Sequence, residues 1–72
     1  MVKAITTRIH NGEVLSSSVS VPYSFAEAQD ILTNQYKARR KSSDITKITK
    51  NNRMMSARYK TGLVVTIQLV HA

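Results

Sequence analysis

The chain has 72 residues, enough for one small domain spanning 1–72 and no second core. Lys and Arg number 11 against 4 Asp and Glu, a formal net charge of +7, and Cys is absent. Disulfide scaffolds and thiolate metal clusters are thereby excluded, and the charge favours an anionic partner. A core of this size gives about 3–5 kcal/mol of net stability unaided, so dimerisation is one route to further burial.

The first 21 residues read as two strands, VKAITTRI and EVLSSSVSV, joined around His10, Asn11 and Gly12. A two-residue Asn-Gly loop pairs Ile9 with Val14 and sets Ile5 and Ile9 against Leu15, Val19 and Val21. A three-residue loop, with Gly12 left-handed at a bulge, gathers Ile5, Thr7, Ile9, Leu15, Val19 and Val21 on one face. The apolar pattern therefore predicts the three-residue loop and an inward position for that set.

The helix is the best-marked element. Ser24 and Glu27 have the spacing of a capping box, and Pro22 keeps the approach extended. Phe25, Ala28, Leu32 and Tyr36 recur at helical spacing, with Ile31 and Gln35 beside them. Glu27, Asp30, Asn34, Lys37 and Lys41 fall opposite. The predicted helix covers about 25–40.

Residues 45–50, ITKITK, have a period of three that suits neither a clean strand nor a long helix. Two consecutive asparagines, Asn51 and Asn52, are poor helix formers and argue for a turn. We therefore predict a lysine-bearing edge strand, since edge lysines discourage pairing with other chains. A turn on the asparagines pairs Ile48 with Met55 and Lys47 with Ser56.

Downstream, LVVTIQLV alternates Leu63, Val65, Ile67 and Leu69 with Val64, Thr66, Gln68 and Val70. A loop of Lys60, Thr61 and Gly62 pairs Tyr59 with Leu63, Ala57 with Val65 and Met55 with Ile67. The predicted fold is α+β: a small antiparallel sheet of four to five strands in ββαβββ order, with one amphipathic helix on one face.

Neither end of this sequence reads as a signal peptide or an anchor, so the expected setting is cytoplasmic and away from membranes. Catalysis has little to draw on. Glu13 sits beside a turn, Glu27 in the capping box, Asp30 on the polar helix face and Asp44 before a strand. No two of them are spaced for acid–base work. His10 and His71 have no carboxylate partner in a metal-ligand spacing, and two glycines make no phosphate loop. The expected protein is non-enzymatic, with no cofactor and no metal.

The basic residues remain. Residues 1–36 hold two bases against three acids, and residues 37–72 hold nine bases against Asp44 alone, so the halves carry −1 and +8. Lys37, Arg39, Arg40 and Lys41 end the helix, where cations also complement the macrodipole. Arg58, Ser56, Met54, Thr66 and Gln68 share one strand face with Lys47 and Thr49. Arg8, Thr6, Ser16, Ser18 and Ser20 are expected to extend that face across the first hairpin. Hydroxyls beside Arg and Lys are the donors that phosphates take, although one-sided sheets also tend to be polar on the wet face.

The candidate binding residues are Arg39, Arg40, Lys41, Lys47, Arg53, Arg58 and Lys60. Of the four aromatics, Phe25, Tyr36 and Tyr59 read as core and only Tyr23 as exposed. Base stacking is then poorly supplied, and a duplex or structured RNA is favoured over a single strand. The leading expectation is a binding module that neutralises the phosphates of nucleic acid or a nucleoprotein complex. A second is a modulator or inhibitor of the phage or mobile-element type, docking on an acidic host-protein surface or a sheet edge. The third is a homodimer or larger homo-oligomer with self-contact through the Ser/Thr-rich face or through Met54 and Val70.

Overall fold

Local preference builds six elements: β1 (Val2–His10), β2 (Glu13–Val19), α1 (Phe25–Arg39), β3 (Ile45–Lys50), β4 (Met54–Tyr59) and β5 (Leu63–His71). They come from a computed structural model that describes residues 1–72. The strands form one antiparallel sheet in the order β2-β1-β5-β4-β3, so the ββαβββ arrangement is present with its helix on one face. The two longest strands, β1 and β5, lie side by side and join the N-terminal hairpin to the C-terminal one. β3 is an edge strand, as its lysines suggested.

Ser24 starts the helix in an extended conformation, and its Oγ accepts from the Glu27 N–H at 3.2 Å. The same hydroxyl donates to Glu27 Oε1 at 3.0 Å, so the capping box closes side chain to side chain. At the other end the Arg40 N–H reaches the Tyr36 carbonyl, with Lys37 and Arg39 in the last turn complementing the dipole. Ala28 and Leu32 are fully buried against Val2, Ala4, Met55, Ile67 and Leu69. Burying a leucine in this way contributes about 1.5–3 kcal/mol.

Phe25 departs from its expected core position and is 39% exposed. The first helical turn stands over the β3–β4 turn rather than over the strands. Gln29 reaches the Asn52 carbonyl there, and the Arg53 guanidinium lies 5.5 Å from the Phe25 ring centroid. Tyr23 departs in the opposite direction. Its backbone exchanges two 2.8 Å hydrogen bonds with Val2, which draws the ring against the core.

The first hairpin overturns the predicted loop. Asn11 and Gly12 have φ of 51° and 83° and form a two-residue turn that pairs His10 with Glu13 and Ile9 with Val14. Two left-handed residues match the right-handed twist of the flanking strands, which three-residue loops achieve less directly. The extra residue appears instead as a bulge at Leu15, after which Arg8 faces Ser16 and Ile5 faces Val19.

The buried face of this hairpin is also the reverse of the prediction. Val2 and Ala4 point to the helix, and Ile5, Thr7, Ile9 and Val19 lie on the open face. Pairing with β5 is the cause. Leu63, Val65, Ile67 and Leu69 make the stronger alternation, and the register sets Ala4 beside Leu69 and Ile5 beside Gln68. Small Ala4 and Ala57 beneath the helix also let it approach closely.

The second hairpin follows expectation: Met55 pairs with Ile67 and Ala57 with Val65, and Gly62 closes the loop at φ 92°. Between β3 and β4 the pairing differs by two residues. Ile48 faces Ala57 and Lys47 faces Arg58, because the turn extends to Arg53. Asn51 Oδ1 accepts from both the Arg53 and Met54 N–H groups, at 2.8 and 2.9 Å, and this side-chain turn sets the longer loop. A shift of two preserves the faces, so Ile48 still points inward and Lys47 outward.

Candidate anionic-partner interface

With the helix on one side, the opposite face of the sheet is uncovered. Along β3 and β4 it carries Lys47, Thr49, Met54, Ser56 and Arg58, and along β5 it carries Val64, Thr66, Gln68 and Val70. Lys47 and Arg58 are cross-strand neighbours, and Thr49 and Ser56 form the adjacent pair. These four side chains line a shallow cleft of about 160 Å³ with no apolar residue in its wall.

The chemistry of that cleft is uniform. Both hydroxyls and both cations can donate hydrogen bonds. Like charges directly across a strand pair repel, so an anion seated between Lys47 and Arg58 relieves a cost that the free protein carries. None of the four acids stands on this face: Glu13 pairs with His10 on the helix side, Glu27 and Asp30 lie on α1, and Asp44 lies in the α1–β3 loop.

The remaining candidates divide among other places. Arg39 turns inward: its Nη1 donates to the Tyr59 hydroxyl, and its Nε is buried without a partner. Arg40 leans over the Tyr36 ring at 5.9 Å and, with Lys41, stays exposed at the helix C-terminus. Lys60 belongs to the same end, where its N–H donates to the Asp44 carbonyl at 2.8 Å. Arg53 lies at the opposite end, over Phe25. The tertiary structure therefore brings Lys47 and Arg58 together, groups Arg40, Lys41 and Lys60 at one end, and sets Arg53 apart.

The predicted extension of the polar face across β1 and β2 does not occur. Thr6, Arg8, Ser16 and Ser18 lie on the helix side, because Thr6 pairs with Ile67 and Arg8 with Val65, whose side chains are buried there. Ser20 is likewise on that side, with its Oγ accepting from the Ala4 N–H at 2.9 Å. The open face of the first hairpin is instead aliphatic: Ile5, Ile9, Val14 and Val19, with Thr7 and Lys3 among them. Sequence reasoning missed Lys3 and Thr7 as open-face residues. The available signal was the apolar pair Val2 and Ala4 at alternate positions, masked by the larger Ile5 and Ile9.

His10 serves the two turns rather than a site. Its Nε2 lies 3.0 Å from the Thr61 carbonyl and links the β1–β2 turn to the β4–β5 turn. No helix is long and apolar enough to cross a membrane. Compared with protein-family models, curated proteins and solved structures, the chain matches none.

Proposed function

We propose that the protein is a binding module whose open sheet face, on the β3–β4 side, takes the phosphate backbone of nucleic acid. The observation that carries this reading is the cleft of Lys47, Thr49, Ser56 and Arg58, four donors with no acid beside them. Backbone contacts of this kind position a partner without reading its sequence. A duplex or structured RNA fits better than a single strand, because no aromatic ring stands on the open face for bases to stack on. Arg40, Lys41 and Lys60, at the end of the same half, extend the positive field towards neighbouring phosphates.

Fluorescence anisotropy with labelled duplex DNA, single-stranded DNA and structured RNA, each across a salt series, tests the reading. Binding should weaken with salt, and two phosphates held at the cleft contribute about 1.8 to the log–log slope on a duplex. Lys47→Ala and Arg58→Ala should each lower that slope by about 1, whereas Arg8→Ala, on the helix side, should leave it unchanged. Absence of binding to all three probes at low salt would overturn the proposal and direct the search to acidic protein surfaces.

A further inference from the structure

The second outer strand of the sheet, β2, has the chemistry of a strand that expects a neighbour. All seven of its residues are exposed. Its one charged residue is Glu13, at the turn, and Pro22 lies beyond its end. Val14, Leu15, Val19 and Val21, in the strand and its continuation, are each at least 60% exposed. An exposed, nearly uncharged edge without lysine or proline, flanked by aliphatics, is a template for further pairing. The bulge at Leu15 guards the turn end but leaves Ser16 to Val19 regular.

The direction of the free backbone groups follows from the ladder. The Ser20 N–H donates to the Ala4 carbonyl at 2.9 Å, and Val2 and Tyr23 exchange both bonds. Hydrogen-bonded and non-bonded pairs alternate in antiparallel sheets. Ser16 and Ser18 therefore bond to β1, and Ser17 and Val19 turn their N–H and C=O groups outward.

We infer that β2 pairs antiparallel with the β2 of a second copy of this chain, across a two-fold axis at Ser17, giving a continuous ten-stranded sheet. Two observations select a second copy as the occupant, and a third shows that the edge is accessible. The edge is self-complementary, since a two-fold at Ser17 pairs the regular Ser16–Ser18 stretch with itself and brings Leu15, at the bulge, beside the Val19 of the other copy, both 60% exposed in the single chain. The charge is segregated. The sheet order places β2 at the opposite edge from β3, and residues 1–36 carry a net −1. At about 4.8 Å per strand, β4 and β3 lie beyond a Debye length of about 8–10 Å from the axis, so most of the +7 on each copy is held away from the contact and its repulsion is screened. Finally, a groove of about 220 Å³ runs between Ile31 and Gln35 of the helix and Ser18 of β2, with Ser20 just beyond the strand. The β2 flank is thus open on the helix side as well.

This inference rests on β2 and is independent of the basic cleft. Sedimentation equilibrium of the full chain should give twice the 8.1 kDa chain mass. Ser17→Lys and Ser17→Pro each act on the outward edge without removing a bond to β1, and both should halve that mass with unchanged circular dichroism. Val70→Asp, on the open face, should leave the dimer intact. Amide exchange gives a reading that needs no variant: the Ser17 and Val19 N–H groups should be protected at high protein concentration and exchange freely on dilution. A single-chain mass at millimolar protein would overturn the inference. So would a dimer that survives Ser17→Lys, one that dissociates on Val70→Asp, or free exchange of Ser17 and Val19 within a dimer.

Discussion

The two outer strands, β2 and β3, are of similar length and opposite chemistry. β3 presents Lys47 and Lys50, carries an irregularity at Thr46, and has the Thr46 hydroxyl bound to the Arg58 carbonyl at 3.2 Å. The lysines discourage a further strand, whereas an irregularity is common to both edges, since β2 has its own bulge at Leu15. β2 has neither lysine nor internal charge, and its regular stretch is flanked by exposed aliphatics. The contrast extends through the sheet: the open face is basic and hydroxylated over β3 and β4, and aliphatic over β1 and β2. A chain with few residues to spare has divided its surface, one half suited to a charged partner and the other to an apolar one.

The sharpest way to break this comparison is through the core, which the helix concentrates over β1, β3 and β4. Leu32 is fully buried there, and Leu32→Ala should cost about 2–5 kcal/mol, comparable to the whole stability of a domain this small. Loss of the cooperative thermal transition is the expected result. The paired substitution Lys47→Glu with Arg58→Glu comes next. It should abolish duplex binding in the anisotropy assay while leaving the fold, read by circular dichroism, in place.

Smaller effects sharpen the same division. Tyr59→Phe removes the acceptor of the part-buried Arg39 guanidinium and should destabilise by about 1–2 kcal/mol in urea titration. Gly62 lies at φ 92°, with Asn11 Oδ1 3.1 Å from where a Cβ would stand. Gly62→Ala should cost about 1–3 kcal/mol through strain in the left-handed region, towards the lower end if Asn11 gives way. Val19→Thr, on the outer strand, should change the stability of the single chain by no more than about 0.5 kcal/mol, measured in dilute solution where the edge is unpaired.

Much of the fold was legible one element at a time. Ser24 and Glu27 announce the helix start, and the Leu63, Val65, Ile67, Leu69 alternation defines β5 and through it the second hairpin. The site was legible in part. Lys47 and Arg58 share a face under either register of the β3–β4 turn, because a shift of two preserves alternation. Arg39 was not distinguishable from Arg40 and Lys41 by charge alone. Its inward turn depends on Tyr59, twenty residues away in sequence.

The first hairpin shows where sequence reasoning stops. A bulge and a longer loop accommodate the same extra residue, and the choice between them rests on backbone twist rather than on side-chain pattern. Which face of β1 is buried depended on a strand sixty residues away, because β5 pairs with β1 along its whole length and imposes its own alternation. By itself the sequence determined the element types, their order, the helix N-cap, where the turns fall, and the concentration of charge in the second half. Those follow from local backbone preference and composition. Only the tertiary structure decided which apolar residues the helix covers, which bases meet across a strand pair, and which strand is left with unpaired N–H and C=O groups at the edge. Each of these is a property of long-range pairing, which a local pattern does not encode.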